Sequence, residues 1–287
     1  AQGEAPPALD YLTVFQATNT GIYVRDAAAA TRAKIHGCQI IGRDRDLNTG
    51  IYLYNANGQV TSSYVTHFDI GIRAYSNTNE GVVVDLVNNS VVKQGTGVML
   101  GRANSGSRLT VYAYNNVIAD NTDYAIRDTN RTYRSTDYWY SNALWDTTRR
   151  DHSANRYEGN ITQDPLVEDV DWEDVPRWWD GKLWAESVCR NAGNPQPRIE
   201  VTHDILGKPR VIENNVDMGA WEFDPDANQE PRADPVAQAI MVPRGEAFTL
   251  DGSAAVDPDG RIASAFWTMS DGTITAGNAS PLSDGAA

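Results

Sequence analysis

At 287 residues with a hydrophobic fraction of 41%, the chain is long enough for one extended solenoid or for two domains. A net charge of −14 excludes nucleic acid and anionic membrane surfaces as partners, because both require a basic surface. No apolar run approaches the ~20 residues of a bilayer span, so no membrane insertion is expected.

Residues 1 to 19 read as the remains of a coil. Tyr11-Leu12-Thr13-Val14 is strand-like, and Leu12 lies 26 residues before Cys38. From Cys38 to Leu144 the chain repeats. Cys38, Ser63, Asn89, Asn116 and Asn142 open successive units 25, 26, 27 and 26 residues apart. An aliphatic residue follows each by two positions: Ile40, Val65, Val91, Ile118 and Leu144. A second column runs in phase: Thr20-Gly21-Ile22, Thr49-Gly50-Ile51, Ile70-Gly71-Ile72 and Thr96-Gly97-Val98. A near-constant period of this size marks a solenoid, in which no unit closes a core alone. The units lack helical periodicity and consist of short β-branched and aromatic runs broken by Gly, Asn and Asp, which reads as strands and turns.

The expected fold is therefore all-β: a parallel β-helix with a C-terminal cap region, followed by a truncated β-sandwich module. The opening column points inward at a bend, where stacked Asn amides bond one another up the ladder. Ile22 and Val24, Ile51 and Leu53, Ile72 and Ala74, and Val98 and Leu100 alternate as inward residues. The two cysteines, Cys38 and Cys189, are expected to stay unpaired. One belongs to the inward ladder, and the other lies far along the chain.

From about residue 146 the period fails. Residues 168–184 hold Trp172, Trp178, Trp179 and Trp184 among six acidic residues. Bulky residues here suit a plug for the open solenoid end, and the alternative is a sugar-stacking platform. Then follow Asp164-Pro165-Leu166, Ser187 through Gly193, Asp204-Ile205-Leu206-Gly207-Lys208-Pro209-Arg210, and Val216-Asp217-Met218-Gly219-Ala220-Trp221-Glu222-Phe223. This order resembles the closing segment of bacterial secreted right-handed parallel β-helix repeat proteins, in which "DPL" precedes "DxxGxPR" and "VDxGAxE". The resemblance covers residues 20 to 223 and implies an extracellular or bacterial cell-surface protein. It implies no single activity, because the family includes polysaccharide lyases and adhesins, and fold does not give function.

Residues 224–234 form a Pro- and acid-rich linker. Beyond it, Gly245 through Ser253, Asp257-Pro258-Asp259-Gly260 and Phe266 through Gly272 resemble a partial PKD-type immunoglobulin-like domain spanning 235–287. The layout is thus a β-helix over 1–223, with a cap over about 146–223, then the linker and the partial module. The chain lacks an initiating Met and ends inside that module, so it reads as part of a longer chain.

Outward positions of the Thr-Gly strands carry Tyr23, Arg25, Tyr52, Tyr54, Arg73 and Tyr75, with Arg102 and Arg127 continuing the row. Arg offers bidentate bonds to carboxylate or sulfate, and Tyr offers an apolar plane with a polar tip. The stripe suits an extracellular polysaccharide, acidic in character, bound by a monomer. Outward β positions also favour aromatics for packing alone. The rival reading is a polysaccharide lyase, with Arg73 or Arg127 neutralising a uronate and a tyrosine moving the proton. A glycoside hydrolase needs paired carboxylates, and among Asp26, Asp69, Asp85 and Asp128 no pair stands out. A structural stalk or adhesin is the third reading. No cofactor is expected other than calcium, for which Asp44, Asp46 and Asn48 in one turn and Asp257 and Asp259 in another are weak candidates.

Overall fold

Each repeat folds as three short strands separated by bends. The structure, a computed structural model, describes residues 8–17, 19–28, 32–43, 48–130, 132–145, 150–151, 156–165 and 182–226, with two further strands, Val236–Ala237 and Leu250–Asp251. No α-helix occurs among the described residues. The chain divides into two compact units, Ala1–Asp224 and Pro225–Ala287.

The first unit is a parallel β-solenoid with three faces. Sheet A stacks Ala8–Asp10, Ala33–His36, Gly58–Thr61, Val82–Val87, Leu109–Tyr114, Thr136–Tyr140 and Arg156–Glu158. Sheet B stacks Thr13–Ala17, Gln39–Gly42, Tyr64–Thr66, Ser90–Val92, Val117–Ala119 and Ala143–Leu144. Sheet C stacks Thr20–Arg25, Thr49–Tyr54, Ile70–Ser76, Thr96–Arg102, Tyr124–Asp128 and Arg150–Asp151. All neighbours within these sheets pair in parallel. That excludes regular antiparallel hairpins as the source of the period.

The bend from sheet A to sheet B takes one residue in the left-handed region. Tyr11, Gly37, Ser62, Asn88, Asn115, Ser141 and Gly159 occupy it, with φ from 46° to 65°. Gly and Asn adopt this conformation at low cost, and a β-branched residue does not. The next residue is the inward ladder. The Asn89 N–H and side-chain amide both donate to Asn116 Oδ1, at 3.0 and 2.9 Å. Asn116 donates likewise to Asn142 Oδ1 at 2.9 and 2.8 Å. Each amide also donates to a carbonyl of the preceding coil, as Asn116 does to Leu86 O at 2.9 Å. The Ser63 N–H donates to Asn89 Oδ1, and the Cys38 N–H to the Ser63 hydroxyl. The ladder gains a sixth member, Asn160, whose Oδ1 accepts from Asn142.

Inside, Ile22, Ile51, Ile72, Val98 and Ile126 stack in one column of sheet C, all buried. The glycines beside them make room for sheet B. A Cβ on Gly71 would lie 2.4 Å from Val91 Cγ1 and 2.7 Å from Gly97 O. Gly21, Gly50 and Gly97 meet Ile40, Val65 and Ile118 in the same way. The two columns of the sequence therefore touch across the core.

Sheet B has apolar residues on both sides. Tyr64, Val92, Val117, Ala119 and Ala143 point outward and are buried by Leu183, Ile205, Met218, Ala220 and Trp221 from the segment 182–226. This segment lies along the flank rather than across the end, because its anchors fall on successive coils. Ser62 Oγ donates to His203 O, the Asn88 amide to Asp217 O, and the Gly219 N–H to Asn115 O. Residues 166–181, which hold Trp172, Trp178 and Trp179, lie outside the described residues. In the second unit, Val236–Ala237 pairs antiparallel with Leu250–Asp251, and the rest of the expected sandwich lies outside the described residues.

Candidate functional site

Among the described residues the C-terminal segment covers sheet B and reaches sheet A at Arg198, and it leaves the outer face of sheet C open. On sheet C the register sets Tyr23, Tyr52, Arg73, Met99 and Arg127 in one outward column. Arg25, Tyr54, Tyr75 and Gly101 form the column beside it. Neighbouring coils lie about 4.8 Å apart, so the two columns make a continuous strip along the axis. Tyr23 is 52% exposed, and Arg25 is also exposed. Tyr52, Tyr54, Arg73, Tyr75 and Arg127 are half-buried.

The rings and guanidiniums interleave. Tyr23 and Tyr52 have centroids 5.2 Å apart at an interplanar angle of 48°, and Tyr52 and Tyr54 meet edge-on at 88°. Tyr54 and Tyr75 stack at 17°. Arg73 sits 4.7 Å from the Tyr52 centroid and 5.9 Å from that of Tyr75. Arg127 lies 4.9 Å from the Tyr124 ring. These contacts hold each guanidinium in a fixed place. Arg25 differs, because it forms an ion pair with Asp26 at 3.0 Å. Burial raises the Tyr52 hydroxyl above its ordinary range, against the opposing pull of the Arg73 charge, so it is a proton donor at neutral pH.

Arg102 does not join the strip. It is in register with the fully buried Ser76, and Gly101 takes the outward place. Counting by two from Met99 gives that result, since a one-residue step changes faces. Of the calcium candidates, the structure describes Asn48 alone. Asp44, Asp46, Asp257 and Asp259 lie outside the described residues. Asn48 is buried, and its Oδ1 accepts the Asp69 N–H at 3.3 Å. Among the described residues no group of three His, Cys, Asp or Glu side chains converges for a metal.

The carboxylates weighed for hydrolysis also scatter. Asp26 is at the strip's edge, paired with Arg25. Asp128 is buried and accepts the Asn130 and Ser135 N–H groups, and burial raises its pKa. Asp85 belongs to sheet A. Cys38 and Cys189 are free and buried, with the Cys189 thiol pushed up to about 12 by burial.

The closing motifs build the flank. One nitrogen of buried Arg210 shares its two hydrogens among Ser62 Oγ, Asn88 O, Gly219 O and Ala220 O, and another donates to Glu222 at 3.3 Å. Asp204 accepts the Leu206, Lys208 and Glu222 N–H groups. Asp217 accepts those of Asn191 and Phe223. Burial is the leading influence on Glu222 and pushes its carboxyl up to about 8.

A second group escaped the sequence reading. Tyr112, Tyr114, Tyr138 and Tyr140 project from sheet A, beside Arg198. Their signal was available, because Tyr-x-Tyr recurs after 26 residues (138−112). No family model matches the chain, and neither does any curated protein or solved structure.

Proposed function

We propose that the solenoid binds an acidic extracellular polysaccharide along sheet C. The observation that carries this reading is the double column of tyrosines and arginines, in register over successive coils, on a face that no other part of the described unit covers. A polymer aligned with the axis meets an equivalent contact at each coil, so weak contacts add. Arg73 and Arg127 would take carboxylates or sulfates, and Tyr23 and Tyr52 would pack against sugar rings. On this reading the chain is a right-handed β-helix of the bacterial secreted type, extracellular or surface-attached and monomeric. Residues 182–223 close its flank over sheet B, and 235–287 serve as an immunoglobulin-like spacer.

The test is titration with polygalacturonate and dextran sulfate, with neutral dextran as control. Arg73→Ala and Arg127→Ala should each weaken binding several-fold at low salt, with a smaller loss at high salt, where screening has already removed that attraction. Tyr52→Ala should weaken it with less salt dependence. Binding equal to that of neutral dextran would refute the reading and leave a structural stalk. Appearance of absorbing unsaturated uronide would establish the lyase alternative.

A further inference from the structure

Sheet A carries its own in-register strip, which the proposed function does not use. Gln59, Asp85, Tyr112, Tyr138 and Arg156 form one outward column. Beside it, Tyr114 and Tyr140 pair in the next. The Tyr112 and Tyr138 rings lie 4.8 Å apart and within 6° of parallel, and Tyr114 and Tyr140 lie 4.9 Å apart at 17°. Parallel rings at the coil spacing cover each other's faces. Sheet A thus carries two stacked pairs side by side, where sheet C has one, Tyr54 with Tyr75.

At one end of the row two guanidiniums converge on one carboxylate. The Asp85 side chain is fully buried, with Oδ1 bonded to Arg198 at 2.6 Å and Oδ2 to Arg32. One carboxylate neutralises one guanidinium, so the triad keeps a net positive charge on a protein of net charge −14. Arg198 also lies 4.3 Å from the Tyr112 centroid, and 39% of its side chain is exposed. Its position is therefore fixed on two sides while part of it faces solvent. Burial raises the Tyr114 hydroxyl above its ordinary range, so it holds its proton and donates.

The geometry points to a second polyanion-binding face on sheet A, centred on Arg198, Arg32 and the paired tyrosines, that takes carboxylate or sulfate groups of an acidic polysaccharide. The identity of the ligand rests on the reading of sheet C, but the site does not. Sheets A and C are different sides of the solenoid, so one molecule then holds two polymer chains.

The experiment uses the full 287-residue chain, short oligogalacturonides for stoichiometry, and long polygalacturonate for bridging by turbidity. The wild type should show two binding events and develop turbidity. Arg198→Gln, and separately Tyr138→Ala, should remove one event, or weaken it about tenfold, and abolish the turbidity. Tyr138→Ala leaves the Arg198–Asp85 contact intact, which covers the case in which Arg198→Gln loosens the flank. Thermal melts check that each variant remains folded. The double variant Arg73→Ala/Arg127→Ala should remove the other event only. A single event that is lost in the sheet C variant and untouched by the sheet A variants overturns this inference and leaves the proposed function standing. A single event lost only in the sheet A variants does the reverse. Absence of binding in the wild type overturns both.

Discussion

Asn116→Leu tests the ladder at its centre. Leucine has nearly the size of asparagine, so the change removes hydrogen bonds with little change in volume. Asn116 Oδ1 accepts two donors, the Asn89 N–H at 3.0 Å and the Asn89 amide at 2.9 Å. Its own amide supplies Leu86 O and Asn142 Oδ1. Leucine leaves the Asn89 N–H without its ladder partner and the Asn89 amide with only Val60 O. It also removes a donor from Leu86 O, while Asn142 Oδ1 keeps the residue 116 N–H. Asn89, Asn116 and Asn142 are at most 2% exposed, so water does not replace these partners. A buried group left unsatisfied costs about 1–3 kcal/mol, so two such groups set the expected loss at roughly 2–6 kcal/mol. That is a large part of a typical domain's stability of about 5–15 kcal/mol. Equilibrium unfolding in urea measures it, and the slope against denaturant should stay near wild type, because the surface exposed on unfolding is nearly the same. A variant within about 0.5 kcal/mol of wild type would show that the ladder follows the fold without stabilising it.

Gly71→Ala should destabilise the solenoid by about 1–3 kcal/mol, because its new methyl meets Val91 Cγ1 at 2.4 Å and the Gly97 carbonyl at 2.7 Å. Adding Val91→Ala should recover only part of this, since the carbonyl remains; full recovery would place the whole clash on the side chain. Glu222→Gln should change how stability depends on pH. The folded carboxyl titrates near 8 against an ordinary 4.5, so the stability it contributes is full below 4.5 and is lost as pH rises toward 8. Wild type should therefore fall relative to Glu222→Gln across that window, by at most about 1.4 kcal/mol per pH unit. Parallel stability curves would mean that Arg210 keeps Glu222 ionised throughout.

The parts of the fold legible in the sequence are those whose residue choice has a local cause. The left-handed bend and the inward amide select Gly, Ser and Asn, and they recur in phase because each coil repeats the same backbone. The glycines of the Thr-Gly column recur because a Cβ there meets sheet B. Asn160 escaped notice because the last coil is short, with 18 residues separating it from Asn142. Arg102 was assigned by nearness in sequence, when the strand's parity puts Gly101 outward. Coverage of sheet B was written in Val91-Val92 and Val117-Ile118-Ala119, where both parities are apolar, as in strands buried on two sides. What covers it was not legible, since Arg210 meets Ser62 across 148 residues.

That distance also bears on where function can reside. Asp204, Arg210, Asp217 and Glu222 are buried charged residues of the closing motifs, and such residues in a cluster invite an active-site reading. Most of their hydrogen bonds go to backbone N–H and C=O groups of the flank and the bends, and all four are at most 6% exposed. An irregular segment has no strand ladder to satisfy its backbone, so buried side chains must do it. The four charges meet that need, and their cluster has no exposed face to offer a polymer. Tyr23, Tyr52, Arg73 and Arg127 are placed in the opposite way. Their backbone is satisfied by parallel neighbours, and their side chains bond to little besides one another. Replacing Arg73 should therefore alter ligand binding and leave the melting temperature nearly unchanged, whereas replacing Arg210 should lower it sharply, because several carbonyls lose their donor together. If Arg73→Ala melted as early as Arg210→Ala, the sheet C strip would be part of the scaffold, and polysaccharide recognition would lose the observation on which it stands.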